Sequence, residues 1–185
     1  MRPFFYFVAT SLDGFIARPD GAIDWLFHDQ DYGFTEFLEG IDTVVMGRKT
    51  YEQSLTFGES PFKSKQHFIF SKTLTQSEIG TVVNEPVEQF VQRQRAIASP
   101  KGVWIIGGGE LAGAFFAAQG IDQLIVFVHP VLIHAGLPLA AGVPRDVQLQ
   151  LTGTHAFETG LVRLNYTVRS KPITPVGVAP HGERY

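Results

Sequence analysis

The chain has no cysteine. Disulfides, thiolate-held zinc and cysteine nucleophiles are excluded together, and a cytoplasmic setting is the expectation. Long apolar runs are also missing. The longest are strand-sized, against the roughly 20 residues a membrane-spanning helix needs, so no membrane segment is expected. The opening residues, Met1 to Thr10, carry one cation and then apolar side chains, and soon reach Asp13-Gly14. That apolar region is too short for a secretory signal and reads as a first strand buried on both faces. Charge is sparse: charged residues make up 18% of the chain, and 15 Lys and Arg stand against 18 Asp and Glu. A broad basic surface is therefore excluded, and nucleic acid is not an expected partner. The six histidines lack the spacing of a zinc protease. His129 and His134 bracket Pro130 to Ile133 without forming a ligand pattern, so no metal is expected. There is no G-x-S-x-G, no Walker A sequence and no internal repeat.

What is present is a hydrophobic fraction of 44% over 185 residues, enough for one domain with a full core. Run length and punctuation predict the elements. Strands are expected at Phe4–Thr10, Thr43–Met46, Gln66–Phe70, Thr81–Val83, Val103–Ile106 and Gln123–Val128. Helices are expected at Tyr32–Glu39, Arg48–Leu55, Val87–Ile97 and Glu110–Ala118. The third helix should turn Val87, Phe90, Val91 and Ile97 inward, and Gly120 should end the fourth. Ser11–Ile23 reads as a loop. Val147–Leu151 and Val162–Val168 alternate strictly around Glu158-Thr159-Gly160, the pattern of an antiparallel hairpin. The expected fold is α/β in three layers, a mostly parallel central sheet closed by an antiparallel C-terminal edge hairpin. Residues 1–170 form the expected domain. Lys171 to Tyr185, with Pro172, Pro175 and Pro180, reads as a mobile tail or an interaction arm.

Two strand-to-helix junctions carry the functional signal. In Val45-Met46-Gly47-Arg48-Lys49-Thr50 a strand runs through glycine into a helix that opens with two cations and a hydroxyl. Cations there oppose the helix dipole, a cost that a nearby anion relieves. Arg48 offers a planar fork and Lys49 a point charge. In Ile105-Ile106-Gly107-Gly108-Gly109-Glu110 the glycines let backbone approach a pyrophosphate, and the helix from Glu110 adds its positive end. The second run fits G-x-G-x-x-A, but the next strand ends Phe127-Val128-His129 with no acid, so an ordinary dinucleotide fold is rejected. A third strand end, Phe70-Ser71-Lys72, again sets a hydroxyl beside a cation. Ser11-Leu12-Asp13-Gly14 leaves the first strand, where Asp13 can fix the loop and Gly14 admits a flat ring. Asp24, Asp29, Asp31 and Glu36 are candidate proton donors or ligand anchors, or plain solvated acids. Trp25 can line a pocket or fill the core.

Together these residues resemble the dihydrofolate reductase-like superfamily, and within it the RibD C-terminal reductase branch and its stand-alone relatives. Ser11 to Ala17 is similar to that branch's opening motif. Val45 to Glu52 is similar to the dihydrofolate reductase cofactor motif. Ile105 to Gly109 resembles its pyrophosphate glycines, and Asp122 to Leu132 resembles the RibD strand and proline. The resemblance covers about Arg2 to Val168 and implies NADPH as cofactor and hydride transfer to a small molecule. It implies that Arg48, Lys49, Ser71 and Lys72 recognise the adenosine 2′-phosphate. Thr50 and Gly107 to Gly109, with Glu110 beside them, would hold the pyrophosphate, and Ser11 to Gly14 would border the nicotinamide and substrate. Asp13 and Asp31 are the acids placed on the catalytic side, Asp31 standing at a suitable distance before Gly47 to hold a pterin. Riboflavin-type reductases carry a lysine four residues before the motif serine, where this chain has Phe7. The expected substrate is pteridine- or pyrimidine-like. The alternatives are 5-amino-6-(5-phosphoribosylamino)uracil reduction in riboflavin synthesis and a non-catalytic nucleotide-binding module. A homodimer is expected, as in relatives.

Overall fold

The computed structural model describes residues 1–56 and 61–169, so the expected tail at Lys171 to Tyr185 lies outside the described residues. The elements run β1 (Phe4–Ser11), β2 (Phe15–Ala17), α1 (Phe34–Glu39), β3 (Ile41–Gly47), α2 (Arg48–Ser54), β4 (Gln66–Phe70) and β5 (Thr81–Val83). They continue with α3 (Val87–Arg95), β6 (Gly102–Ile106), α4 (Gly109–Ala117), β7 (Gln123–His129), β8 (Leu137–Pro138), β9 (Gln148–Ala156) and β10 (Val162–Arg169). The main sheet has the order β5-β4-β3-β6-β1-β7-β10-β9. Its first six strands are parallel, and β10 and β9 close the edge antiparallel.

The period of two along β1 divides the core. Phe4, Tyr6 and Val8 face one side and pack with Phe90 of α3 and Phe115 and Phe116 of α4. Phe5 and Phe7 face the other, with Phe34 and Phe37 of α1 and Trp104 of β6. Helices thus cover both faces, which is why β1 is apolar on both sides from Phe4 to Ala9. At the amino end of the sheet the buried Arg2 guanidinium donates to Asp42, to Thr43 Oγ1 and to Gln94 of α3. A buried cation is tolerated there because its donors are satisfied.

Four local expectations change. α1 starts at Phe34 and not at Tyr32, because Tyr32 and Gly33 both take left-handed backbone, φ 54° and 84°. α3 stops at Arg95, which leaves Ile97, expected inward, 43% exposed. α4 ends in a Schellman turn with Gln119 at φ 51°, and Gly120 N–H donates to Phe115 O at 2.8 Å. Gly120 therefore sits one place beyond the left-handed position, where a Cβ would stand 2.7 Å from Val91 Cγ2. The Ser11–Ile23 loop contains β2, which pairs antiparallel with β8.

Candidate active site at the carboxyl edge of the sheet

The connections select one crevice. β1 continues through α1 to β3 and crosses β6 on one face; β6 continues through α4 to β7 and crosses β1 on the other. Their carboxyl ends are adjacent while their connections depart in opposite directions, the arrangement that opens a ligand cleft in α/β sheets. Ser11 ends β1, Gly107 follows β6, Gly47 ends β3 and Ser71 follows β4. Four predicted segments therefore line one edge on neighbouring strands.

On the β3–β6 side the two junctions touch. Gly47 is extended, φ −81° and ψ 165°, and α2 starts directly from it. Gly107 takes φ 69° and Gly108 φ 28°. An ideal Cβ at Gly107 would stand 2.5 Å from Thr50 Oγ1, and one at Gly108 would stand 3.9 Å from the same atom. A Cβ at Gly47 would meet nothing within 4 Å, so the junction opens outward. The Gly108 N–H has no partner among the described residues, and the first turn of α4 adds further free N–H groups. This backbone cradle suits a pyrophosphate. Arg48 and Lys49 are exposed beside it. Glu52 holds one arm of the Arg48 fork at 2.8 Å, and the remaining donors stay free. Ser71 Oγ accepts the N–H groups of Thr73 and Leu74 at 3.2 and 3.0 Å, fixing the turn that presents exposed Lys72. Glu110 is exposed in the first turn of α4.

On the β1–β7 side the opening loop is tied down. Ser11 Oγ accepts the Phe15 N–H at 3.1 Å, and Gly14, at φ 84°, donates its N–H to Ser11 O at 3.0 Å. Residues 131–141 strap this loop to α4. Leu12 N–H donates to Val131 O at 2.8 Å, Leu139 N–H to Gly14 O at 3.1 Å, and Ala141 N–H to Gly109 O at 2.9 Å. The buried Tyr6 hydroxyl donates to Leu139 O at 2.8 Å. Side chains at Gly109 and Gly113, one turn apart on α4, would run into the carbonyls of Pro138 and Ala141.

A second span reaches from α2 to the end of β7. Gln53 Nε2 of α2 donates to Gly21 O at 3.2 Å, and Phe27 N–H donates to His129 Nε2 at 3.2 Å. Since α2 follows β3 and β7 lies beyond β1, residues 18–27 arch across the ends of β6 and β1. Trp25 in this span is 8% exposed, and its indole N–H has no hydrogen-bond partner among the described residues.

The two acids expected to be catalytic are both occupied. Asp13 accepts the Ile133 and His134 N–H groups at 3.2 and 2.8 Å. The Ser11 hydroxyl and then these N–H groups hold its carboxyl below the usual aspartate range. Asp31 does not join the row of strand ends but caps α1. It accepts the N–H groups of Gly33 and Thr35, each at 3.1 Å, and the Thr35 hydroxyl at 2.7 Å. That hydroxyl is the main cause of its lowered pKa. Both shifts are opposite to the one that keeps a general acid protonated near neutral pH. The strap, the arch and the acceptor nitrogen of His129 were not foreseen from the sequence. The Gly109-x-x-x-Gly113 spacing, two residues without side chains one turn apart, is the sequence feature that corresponds to the strap.

Residues 4–163 match the RibD C-terminal domain. The uncharacterized protein YwjB of Bacillus subtilis (strain 168) is 36% identical over 168 residues, covering 86% of this chain and 94% of that protein. The crystal structure of a protein assigned to riboflavin biosynthesis in Shewanella sp. PV-4 has a TM-score of 0.80 at 26% identity, over 90% of this chain and 99% of the other. Dihydrofolate reductase from Enterococcus faecalis, solved with NADP(H), shares the fold at a TM-score of 0.66 and 19% identity, over 90% of this chain and 96% of that one. The family match spans most of the chain and the sequence identity agrees with it: this chain belongs to the RibD C-terminal domain family.

Proposed function

We propose that this chain is an NADPH-dependent reductase acting on a pteridine- or pyrimidine-like small molecule. The observation that carries the reading is the meeting of the two junctions, where Thr50 packs against Gly107 beneath an open Gly47. NADPH, when bound, supplies the hydride. The rest is positioning and electrostatics by the chain. Arg48, Lys49, Ser71 and Lys72 would take the adenosine 2′-phosphate. Thr50 and the N–H groups of Gly107, Gly108, Gly109 and Glu110 would take the pyrophosphate. Ser11 and Gly14, held by the strap, would border the flat rings. Asp13 serves as the clamp that fixes this loop, and Asp31 as the cap that orients α1. The Trp25 indole N–H, without a hydrogen-bond partner among the described residues, is buried in the arch and would donate to a ligand only after that span shifts.

The position that is lysine in riboflavin-type reductases is Phe7 here. It stacks on Phe37 with ring centroids 4.2 Å apart and packs against Phe127 at 4.6 Å. It brings no cation to a ribose phosphate, which favours an unphosphorylated substrate over the uracil intermediate. A second reading, a nucleotide-binding module without turnover, draws on the hydrogen bonds that occupy both acids. NADPH oxidation in the presence of a panel of pterins and pyrimidinediones tests the proposal. Turnover with any of them supports the reductase; binding without oxidation across the panel supports the module. No described helix is long and apolar enough to cross a membrane. The expected homodimer would use the late strands, where Leu151 of β9 is half exposed, or the tail, and light scattering of the purified chain tests it.

A further inference from the structure

His129 is buried at the end of β7, in register with Ser11 of β1. Both of its ring nitrogens are in use. Nδ1 lies 3.2 Å from the Phe127 carbonyl, which can only accept, so Nδ1 carries the proton. Nε2 lies 3.2 Å from the Phe27 N–H, which can only donate, so Nε2 is a bare lone pair. The partners fix the neutral Nδ1–H tautomer. The rings of Trp25 and Phe27 stand edge-on to this imidazole, with centroids 5.2 and 5.0 Å away. Among the described residues, the Phe27–His129 hydrogen bond is the one polar tie between residues 24–28 and β7.

We propose that neutral His129 is a positioning residue of the cleft: its Nε2 lone pair latches the Trp25–Phe27 segment across the ends of β1 and β6, and protonation at Nε2 opens the latch. The proposal rests on the reductase reading only for the identity of the ligand that the arch faces.

The chemistry is that of one atom. A proton on Nε2 turns the acceptor into a donor that faces the Phe27 N–H, so that hydrogen bond is lost; the Phe127 and Thr10 carbonyls favour the charged ring, but burial outweighs them. The arch loses its anchor on β7 and keeps the one on α2, Gln53 to Gly21. The charged groups nearby do not rescue an imidazolium. The arch brings His28, whose charge opposes a second one. Asp24 is bound to Arg18, and Asp29 to the Tyr32 hydroxyl. Beyond Ser11 on the β1 side, Asp13 is engaged with the N–H groups of Ile133 and His134. Burial disfavours the cation further, and with His28 it holds His129 below the usual histidine range. The latch is therefore closed at neutral pH and opens in acid.

The test is NMR on the full-length, ¹⁵N-labelled chain without cofactor. Long-range ¹H–¹⁵N correlation of His129 should show the Nδ1–H tautomer at pH 8. On acidification the Phe27 amide shift should follow the His129 titration with the same midpoint. Its hydrogen exchange, corrected for intrinsic rate, should rise roughly tenfold or more while core amides such as Phe115 stay protected. In His129→Gln the side-chain Oε1 can accept the same N–H without titrating, so Phe27 should remain protected and the pH step should vanish. His129→Leu should expose Phe27 at every pH. An Nε2–H tautomer, a Phe27 amide indifferent to the His129 titration, or an unchanged pH step in His129→Gln would each overturn the proposal. None of these readouts involves NADPH, so a failed latch and a failed cofactor reading are told apart.

Discussion

Thr50 Oγ1 lies 2.5 Å from the position a Cβ would occupy on Gly107. The first turn of α2 and the turn after β6 therefore meet through a hydroxyl and a bare Cα. Gly107 also takes φ 69°, so alanine there is penalised by backbone strain and by crowding. Gly107→Ala should cost about 2 kcal/mol of stability, read from urea denaturation. Thr50→Val keeps the shape and removes the hydroxyl. It should leave the urea midpoint nearly unchanged and weaken NADPH binding. Wild-type affinity in both variants would show that the contact does not build the cradle.

Gly113 sets two effects against each other. Alanine in the middle of a helix gains about 1 kcal/mol over glycine. Here its Cβ would run into the Ala141 carbonyl, and overpacking costs about 1–3 kcal/mol. Gly113→Ala should therefore destabilise the protein, and it should increase hydrogen exchange at Leu139 and Ala141, whose amides hold the strap. A net gain in stability would mean that the strap moves aside freely.

Asp13 predicts a particular pH dependence. Its pKa in the folded protein is lowered from the ordinary 3.8, first by the Ser11 hydroxyl and then by the His134 and Ile133 N–H groups. The unfolded chain binds the proton more readily, so the stabilisation is present above pH 3.8 and is lost as pH falls through the lower folded value. The difference in urea midpoint between wild type and Asp13→Ala should be full near neutrality and shrink in that acid range. A difference independent of pH, together with complete loss of turnover, would instead make Asp13 a proton donor.

The parts of this fold that were legible in the sequence are those written locally. Gly47 and Gly107 to Gly109 interrupt apolar runs, so the strand ends that line the carboxyl edge of the sheet could be read directly. The alternation in Val162 to Val168 gave the edge hairpin for the same reason. Contacts between distant segments had no such signature. The Phe27–His129 hydrogen bond joins residues 102 apart, and β2 and β8, of three and two residues, are too short to show a period. The left-handed residues Tyr32 and Gln119 moved a helix start and a helix end because neither carries glycine's signal. Asp13 and Asp31 stood out in the sequence only as candidates, Asp31 among several acids that could equally be solvated, because their N–H partners come from backbone geometry that composition does not encode.

The central claim is a cradle for a phosphorylated dinucleotide, and titration with NADPH and NADH at low and moderate salt tests it most directly. The account predicts that NADPH binds at least about tenfold more tightly than NADH, that the preference weakens with salt, and that Arg48→Ala removes it while leaving the fold intact. Equal affinity for the two nucleotides, or no binding by the folded chain, would contradict it.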